Sequence, residues 1–322
     1  MPPAIHIEGL TKDYAVGFWR RRPYRALDRL TLSIPSGEVF GFLGPNGAGK
    51  TTTLKLLMQL IFPTAGRAEI LGRPVGDVGV RRRLGYLPEN PSFYDYLTAE
   101  ELLTYFAQLL DVPGAVRRQR VSALLDRVGI GRERRFQLRK FSKGMIQRVG
   151  IAQALLNEPE VIFLDEPMSG LDPVGRHDVR ALILELRDQG RTVFFSSHIL
   201  ADAEALCSRV AIVAGGRLAA AGRLDELAEF GARGWEVVVA NLEPAALERV
   251  RPTASRVTEL GPGRYTLELP LSQAPERVIP ELAGAGATVV SMQPLRETLE
   301  DVFLQRVAEA GARGAEGHDA RH

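Results

Sequence analysis

The segment GPNGAGKT, Gly44–Thr51, carries the strongest chemical signal in the sequence. It follows a short apolar segment that is typical of a buried strand, and a predicted helix begins at Lys50. Glycines let backbone amides curl around phosphate oxygens, and the positive end of the helix adds to the attraction. We therefore expect Lys50 to reach the β- and γ-phosphates of a nucleotide and the Thr51 hydroxyl to bind Mg²⁺.

Two acids and a histidine follow later apolar segments. Asp165 and Glu166 end the segment VIFLDE, where Asp165 could hold Mg²⁺ and Glu166 could polarise an attacking water. Two solvated acids at a strand end are the weaker alternative, because the segment before them is wholly apolar. His198 follows the next apolar segment and would emerge at the same sheet edge, facing the γ-phosphate. A single histidine after a strand is more often structural, so this signal is weak by itself.

A second anion-binding helix start is predicted in FSKGMIQRV, Phe141–Val149. Ser142 is placed to cap the helix, whose first amides could hold a phosphate. This segment lies far along the chain from Lys50, inside a predicted helical insert, so one chain is not expected to bring both to one nucleotide. A two-fold dimer would do so, with Asp172 of the segment SGLDP at the seam.

Composition and charge narrow the class of protein. The chain has 322 residues, of which 45% are hydrophobic and 25% charged, as in globular proteins. A net charge of +2 gives no argument for nucleic acid as a partner. The single cysteine, Cys207, rules out a disulfide within the chain and fits a reducing cytoplasm. The sequence has neither a long apolar run typical of a membrane span nor the pattern of a secretory signal.

The order of predicted elements indicates two domains. An α/β domain over residues 1–230 begins with two strands joined by a basic, aromatic loop, AVGFWRRRPYR, and contains a helical insert over about 98–155. The insert starts at a capping box formed by Thr98 and Glu101. Residues 235–308 read as β-α-β-β-α-β, which fits a small ferredoxin-like α+β domain with a last helix, RETLEDVFLQRV. The tail, residues 309–322, has a composition typical of disorder.

These motifs, in this order, resemble the nucleotide-binding subunit of an ATP-binding-cassette (ABC) transporter. The resemblance is carried by GPNGAGKTT, GYLPE, FSKGM, VIFLDEP, SGLD and SSH. The forms FSKGMIQR, SGLDP and FSSHIL resemble the subclass that drives exporters of drugs, lipids and polysaccharides, and TLEDVFLQRV resembles the ending of daunorubicin-resistance-type subunits. The implied fold is a P-loop NTPase cassette with an antiparallel β subdomain and a helical subdomain, followed by the small α+β domain.

The resemblance also implies roles for individual residues. Tyr14 matches the aromatic that stacks on adenine; the alternative is a core aromatic at a strand end, and Phe18, Trp19 and Tyr24 lie nearby. Glu89 stands where the family usually has glutamine next to Mg²⁺. The residues implied to bind phosphates and Mg²⁺ within one chain are Gly44, Pro45, Asn46, Gly47, Ala48, Gly49, Lys50, Thr51, Thr52 and Asp165. Glu166 is the implied general base and His198 the γ-phosphate sensor, whereas Ser142, Gly144 and Asp172 are implied to serve the partner subunit's site.

The implied partners are a second cassette, identical or different, and a separate membrane permease. The permease is expected to dock near residues 89–96, where Phe93, Tyr94 and Tyr96 could form a groove; the alternative is that these aromatics belong to the core of the insert. The implied location is cytoplasmic, peripheral on the inner face of the membrane. The alternative function is a soluble ABC ATPase of iron–sulfur assembly, ribosomes or repair. A further idea gives residues 235–308 a role as a ligand sensor or dimer clamp.

Overall fold

The computed structural model describes residues 3–17, 22–227, 232–273 and 275–296. The described residues form two compact units, one up to Leu224 and one from Asp225 onward. Phe18 and Trp19, the predicted last helix beyond Arg296, and the tail predicted to be disordered lie outside the described residues.

The first unit is built on two sheets and seven helices among its described residues. Its strands are β1 Ile5–Val16, β2 Arg22–Ile34, β3 Val39–Leu43, β4 Ala65–Ile70, β5 Arg73–Pro74, β6 Leu84–Leu87, β7 Val161–Asp165, β8 Thr192–Ser197, β9 Arg209–Ala214 and β10 Arg217–Arg223. Its helices are α1 Lys50–Leu57, α2 Val78–Arg81, α3 Ala99–Leu109, α4 Gly114–Arg127, α5 Lys143–Ala154, α6 Pro173–Asp188 and α7 Leu200–Leu206, with a 3₁₀ turn at Leu138–Lys140. None of the described helices is long and apolar enough to cross a membrane.

The larger sheet brings the predicted phosphate and acid motifs to one edge. Its strand order is β10-β9-β3-β8-β7-β6, with β10 antiparallel to β9 and the rest parallel. Every residue of β3, β7 and β8 is buried, as expected for parallel strands covered on both faces. Leu43 pairs with Ser197, and Asp165 pairs with Ser196. The segments that follow these three strands therefore start side by side.

The smaller sheet corrects one sequence-based prediction. Its order is β2-β1-β4-β5, all antiparallel. The segment from Ala15 to Arg25 was predicted as a loop, but its described ends are strand: Val16 pairs with Arg22 and Ala15 with Pro23, so the two strands extend beyond the core. These residues are exposed, so no burial pattern marks them; the backbone ladder keeps them extended, and an ion pair between Arg25 and Asp13 joins the two strands at its base.

The helical insert begins as its capping residues predict. The Thr98 hydroxyl accepts a hydrogen bond from the Glu101 amide at 3.2 Å, and the Glu101 carboxylate accepts one from the Thr98 amide at 2.9 Å. Leu102 and Leu103 of α3 are fully buried, as are Leu125 of α4 and residues on the inner side of α5. The insert therefore has its own apolar packing and presents the start of α5 as a separate feature.

The second unit has the predicted order of elements. After α8 Leu224–Leu227 come β11 Ala232–Ala240, α9 Pro244–Val250, a 3₁₀ turn Arg251–Thr253, β12 Arg256–Gly261, β13 Arg264–Pro270, α10 Pro275–Gly284 and β14 Thr288–Arg296. The sheet order is β12-β13-β11-β14, all antiparallel. Val237, Val239 and Leu267 of the sheet form one core with Val250 and Leu282 of the two helices. The ferredoxin-like α+β prediction is confirmed.

Candidate functional site

The loop between β3 and α1 is folded around the side chain of Lys50. The Lys50 ammonium donates to the Gly44 carbonyl oxygen at 2.7 Å and to the Pro45 carbonyl oxygen at 3.3 Å, and the residue is 6% exposed. Gly49 has a φ of 103°, and a Cβ there would lie 2.7 Å from the carbonyl oxygen of Ala26. Only glycine fits this position, which lies directly before the start of α1.

The three residues predicted to be catalytic meet at the end of β7. The Lys50 ammonium lies 3.4 Å from Oε1 of Glu166, and Nδ1 of His198 lies 2.9 Å from Oε2. The Glu166 side chain is 9% exposed, whereas that of His198 is 46% exposed. Glu166 also has a φ of 50°, a conformation that costs a non-glycine residue about 1–3 kcal/mol and recurs at active sites. Its carboxylate is thus held between a cation and an imidazole.

Asp165 has the features of a residue that receives a cation. It is fully buried; its Oδ1 accepts a hydrogen bond from the Ser196 hydroxyl at 2.5 Å, and its Oδ2 has no hydrogen-bond partner among the described residues. Burial raises the pKa of Asp165 above its ordinary value; the hydrogen bond from Ser196 and the nearby Thr51 hydroxyl oppose the rise, and the charges of Glu89 and Glu166 add to it. Because hydroxyl and carboxylate oxygens suit Mg²⁺, a divalent cation between Asp165 and Thr51 fits this donor set.

A cleft of about 600 Å³ joins these residues to the β1–β2 hairpin. Tyr14 and Tyr24 stand opposite each other in the hairpin, and both line the cleft. The ammonium of Lys12 lies 5.2 Å from the centroid of the Tyr14 ring. The full lining is Tyr14, Tyr24, Ala26, Asn46, Gly47, Gly49, Lys50, Thr51, Thr52, Glu89, Glu166, Ser169 and His198. The predicted site residues that line this cleft are all ones expected to bind the nucleotide within one chain. None of them is a residue expected to serve the partner subunit's site.

The residues predicted to serve a partner lie in a different cleft, of about 340 Å³. Ser142, Gly144 and Asp172 line it, and it shares no lining residue with the first cleft. Ser142 caps α5 by accepting from the Met145 amide at 3.2 Å, and Asp172 caps α6 by accepting from the Gly175 amide at 2.7 Å. The structure therefore gathers the predicted site residues into two groups, which line two different clefts.

Three residues of the site were missed by sequence reasoning. Ser196 accepts a hydrogen bond from the Glu166 amide at 3.1 Å as well as donating to Asp165. Gln147, 1% exposed, donates to the carbonyl oxygens of Glu166 and Pro167 at 3.4 and 3.3 Å. Tyr24, the third, is 53% exposed and was noted only as a neighbour of Tyr14. Of these three, only Tyr24 could have been predicted from the sequence, because it is an aromatic residue near the predicted stacking residue.

Of the aromatic residues after Glu89, Tyr94 and Tyr96 are exposed, whereas Phe93 is half-buried, with its ring centroid 6.3 Å from that of Phe106 of the insert. We call Phe93, Tyr94, Tyr96, Tyr105 and Phe106 the aromatic surface. Tyr94, Tyr96 and Tyr105 are 54%, 60% and 40% exposed. The ring centroids of Tyr94 and Tyr96 are 5.8 Å apart, and Tyr94 lies 6.4 Å from Tyr105. Adjacent exposed aromatics of this kind are typical of interaction sites.

Comparisons with known proteins agree with this geometry. Residues 27–169 match the family model described as ABC transporter. An uncharacterised ABC transporter ATP-binding protein of Synechocystis is 44% identical over 94% of this chain and 84% of its own length. The daunorubicin resistance ATP-binding protein DrrA3 of Streptomyces coeruleorubidus is 36% identical over 95% and 98%. The dimeric ATP-binding cassette MJ0796 bound to ADP and Pi is 27% identical, with a TM-score of 0.63 over 68% of this chain and 98% of the cassette.

The chain therefore belongs to the ABC transporter family, as one of its ATP-binding subunits. The family activity is ATP hydrolysis coupled to transport, and the structural neighbours are cassette ATPases. The relatives support the transport ATPase interpretation and give no support to the alternative of a soluble ATPase in iron–sulfur assembly, ribosomes or repair.

Proposed function

We propose that this chain, a member of the ABC transporter family, is the motor subunit of an exporter, and that two cassettes enclose two ATP molecules between them. One observation carries the proposal: a single chain has two clefts with no lining residue in common, one with Lys50, Glu166 and His198 and the other at the helix start that Ser142 caps. A two-fold pair would place the second cleft of each copy against the first cleft of the other. Closure on ATP and reopening after hydrolysis would then drive a permease.

Within one chain, the first cleft would hold and activate the nucleotide. ATP entering there would take the Lys50 ammonium from Glu166 and the loop carbonyls to its β- and γ-phosphates. Glu166 would then accept a proton from the attacking water, and His198 would hydrogen-bond the γ-phosphate. Tyr14 would stack on the base. The phosphate loop would be formed by Gly44, Pro45, Asn46, Gly47, Ala48, Gly49, Thr51 and Thr52.

Mg²⁺ would be held at the edge of this cleft by Thr51 and Asp165, with Glu89 approaching from β6. The unpartnered Oδ2 of Asp165 supports this assignment, because a buried carboxylate oxygen without a partner is costly. When bound, the ion would neutralise charge that develops on the transferred phosphoryl group. Glu89 is exposed, so its carboxylate is free to turn toward the ion.

In the dimer, the second cleft would complete the partner's site. The start of α5, with Ser142 and Gly144, would contact the partner's γ-phosphate through backbone amides and the hydroxyl. Asp172, at the start of α6, would bridge the two copies. Ser142 is exposed in the single chain, so a second copy could contact it.

The permease would dock at the aromatic surface beside Glu89. Three exposed tyrosines within a short distance favour a protein partner there, and the daunorubicin resistance relative favours an exporter. The chain would then sit on the inner face of the membrane, bound through that permease.

The test is Glu166→Gln in the full chain, with Glu204→Gln on α7 as control. The glutamine keeps the shape of the side chain but cannot act as a base, so turnover should fall by about 10²–10⁴-fold while ATP binding persists. Light scattering should show a long-lived dimer with ATP. Turnover of Glu166→Gln at the wild-type rate would reject Glu166 as the base, and a monomer at saturating ATP would reject the dimer.

A further inference from the structure

The backbone of Glu166 is hydrogen-bonded on two sides. On one side its amide donates to the Ser196 hydroxyl of β8 at 3.1 Å. On the other, its carbonyl oxygen accepts from Nε2 of Gln147 at 3.4 Å, and the same nitrogen donates to the Pro167 carbonyl oxygen at 3.3 Å. The φ of 50° at Glu166 is unfavourable for a residue with a side chain. Such a conformation persists only where the surroundings fix it, and these contacts do so.

The two sides belong to different parts of the molecule. Ser196 lies in a central strand of the larger sheet and is fully buried, so it is a fixed support. Gln147 lies in the second turn of α5, whose first turn is capped by Ser142. The Gln147 side chain is 1% exposed, and burial of an amide is unfavourable unless it is hydrogen-bonded. Its contact with the Glu166 turn satisfies that need.

We propose that Gln147 is a positioning residue that couples the two ATP sites of the dimer. The inference rests on the proposed function, in which the start of α5 contacts the partner's γ-phosphate. A helix moves as a rigid element, so a shift of Ser142 toward the partner's nucleotide carries the amide of Gln147 with it. Because Ser196 holds the other side in place, that shift changes the geometry of the turn at Glu166. ATP bound in the partner's site thereby determines the position of the Glu166 carboxylate in this chain's own site.

The perturbation is Gln147→Met in the full chain, with Gln153→Met as matched control. Methionine keeps the length of the side chain and suits a buried position, but it donates no hydrogen bond. Gln153 is a half-buried glutamine of the same helix. The measurements are the rate of hydrolysis across ATP concentrations, the affinity for a fluorescent ATP analogue, ATP-driven dimerisation, and the midpoint of thermal unfolding.

We expect wild type and Gln153→Met to show a sigmoidal dependence of rate on ATP. Gln147→Met should show a hyperbolic one, with kcat lower by roughly ten- to a hundredfold and unchanged affinity for the analogue, because the base is displaced while the phosphate site is intact. Two results would overturn the coupling and leave the proposed function intact. One is that Gln147→Met loses affinity for the analogue or fails to fold. The other is that its kinetics equal those of wild type while wild type dimerises with ATP. A wild type that never dimerises with ATP would instead reject the proposed function.

Discussion

Replacing Ser196 by alanine removes a hydroxyl that serves both acids of the site. The Ser196 hydroxyl donates to Oδ1 of Asp165 at 2.5 Å and accepts from the amide of Glu166 at 3.1 Å, and the residue is fully buried. Alanine keeps the backbone and the Cβ. The substitution therefore leaves one buried carboxylate oxygen and one buried amide without a partner.

The expected loss of stability follows from these two contacts. A hydrogen bond to a charged group contributes about 1.5–3 kcal/mol, and a buried group left without a partner costs about 1–3 kcal/mol. Since the two effects overlap, we expect the free energy of unfolding to fall by about 2–4 kcal/mol. For a unit of this size that corresponds to a fall in Tm of roughly 4–16 °C.

The pH dependence gives a sharper test than the size alone. The pKa of Asp165 in the folded chain lies above its ordinary value of 3.8, mainly through burial, and the Ser196 hydrogen bond opposes that rise. A raised folded pKa stabilises the folded state fully below the unfolded pKa, and this contribution is lost as pH rises through the folded pKa. Ser196→Ala raises the folded pKa further. The destabilisation should therefore be smaller in acid, where only the loss of the partner of the Glu166 amide remains in full, and grow as pH rises through the pKa of Asp165.

Urea unfolding of wild type and Ser196→Ala over a series of pH values measures this difference. Ser197→Ala is the matched control, because the Ser197 hydroxyl contacts only the backbone of Ile199 among the described residues. Its loss of stability should be smaller and should not change with pH. An equal loss of stability in Ser196→Ala at acid and neutral pH would refute the assignment of the contact to the charged form of Asp165.

Three further predictions address the base site, the insert and the docking surface. Tyr14→Ala and Tyr24→Ala should each weaken ATP binding by about 1–3 kcal/mol if both rings contact the base, and inorganic triphosphate, which has no base, should bind each variant as it binds wild type. Thr98→Ala should lower the free energy of unfolding by about 1 kcal/mol, measured in urea, without changing ATP hydrolysis, since it removes only a helix cap. Tyr94→Ser combined with Tyr96→Ser should abolish recovery with membranes in a pull-down but leave hydrolysis by the isolated chain unchanged.

Sequence patterns predicted those helices and strands whose formation depends on residues close together in the chain. The apolar segments of β3, β7 and β8 mark buried strands, and Thr98 and Ser142 mark helix starts, because each signal is complete within a few residues. The extended β1–β2 hairpin had no such signal. It is an exposed ladder held by backbone hydrogen bonds, and its polar residues read as a loop.

The same distinction applies to the site. Site residues that lie within a sequence motif, such as Lys50 and Glu166, could be predicted because the residues next to them in the chain identify the motif. The importance of Ser196 depends on the register of β7 against β8, which places it rather than Ser197 beside Asp165. Gln147 depends on how α5 packs against the sheet. Both roles arise from tertiary contacts, which sequence spacing does not encode.

The most direct test of the shared ATP site is complementation between two inactive variants. Lys50→Ala has an impaired phosphate loop and an intact α5 start. Ser142→Asp keeps a good helix cap but puts a negative charge where the partner's γ-phosphate would lie. Each should be inactive alone, and their equimolar mixture should regain part of the hydrolysis, because one site of each mixed dimer pairs the intact phosphate loop with the intact Ser142. The rate should stay below that of wild type, because the second site of each mixed dimer is defective and cannot act on the first. A mixture no more active than its components, or a Ser142→Asp chain as active as wild type, would contradict the account.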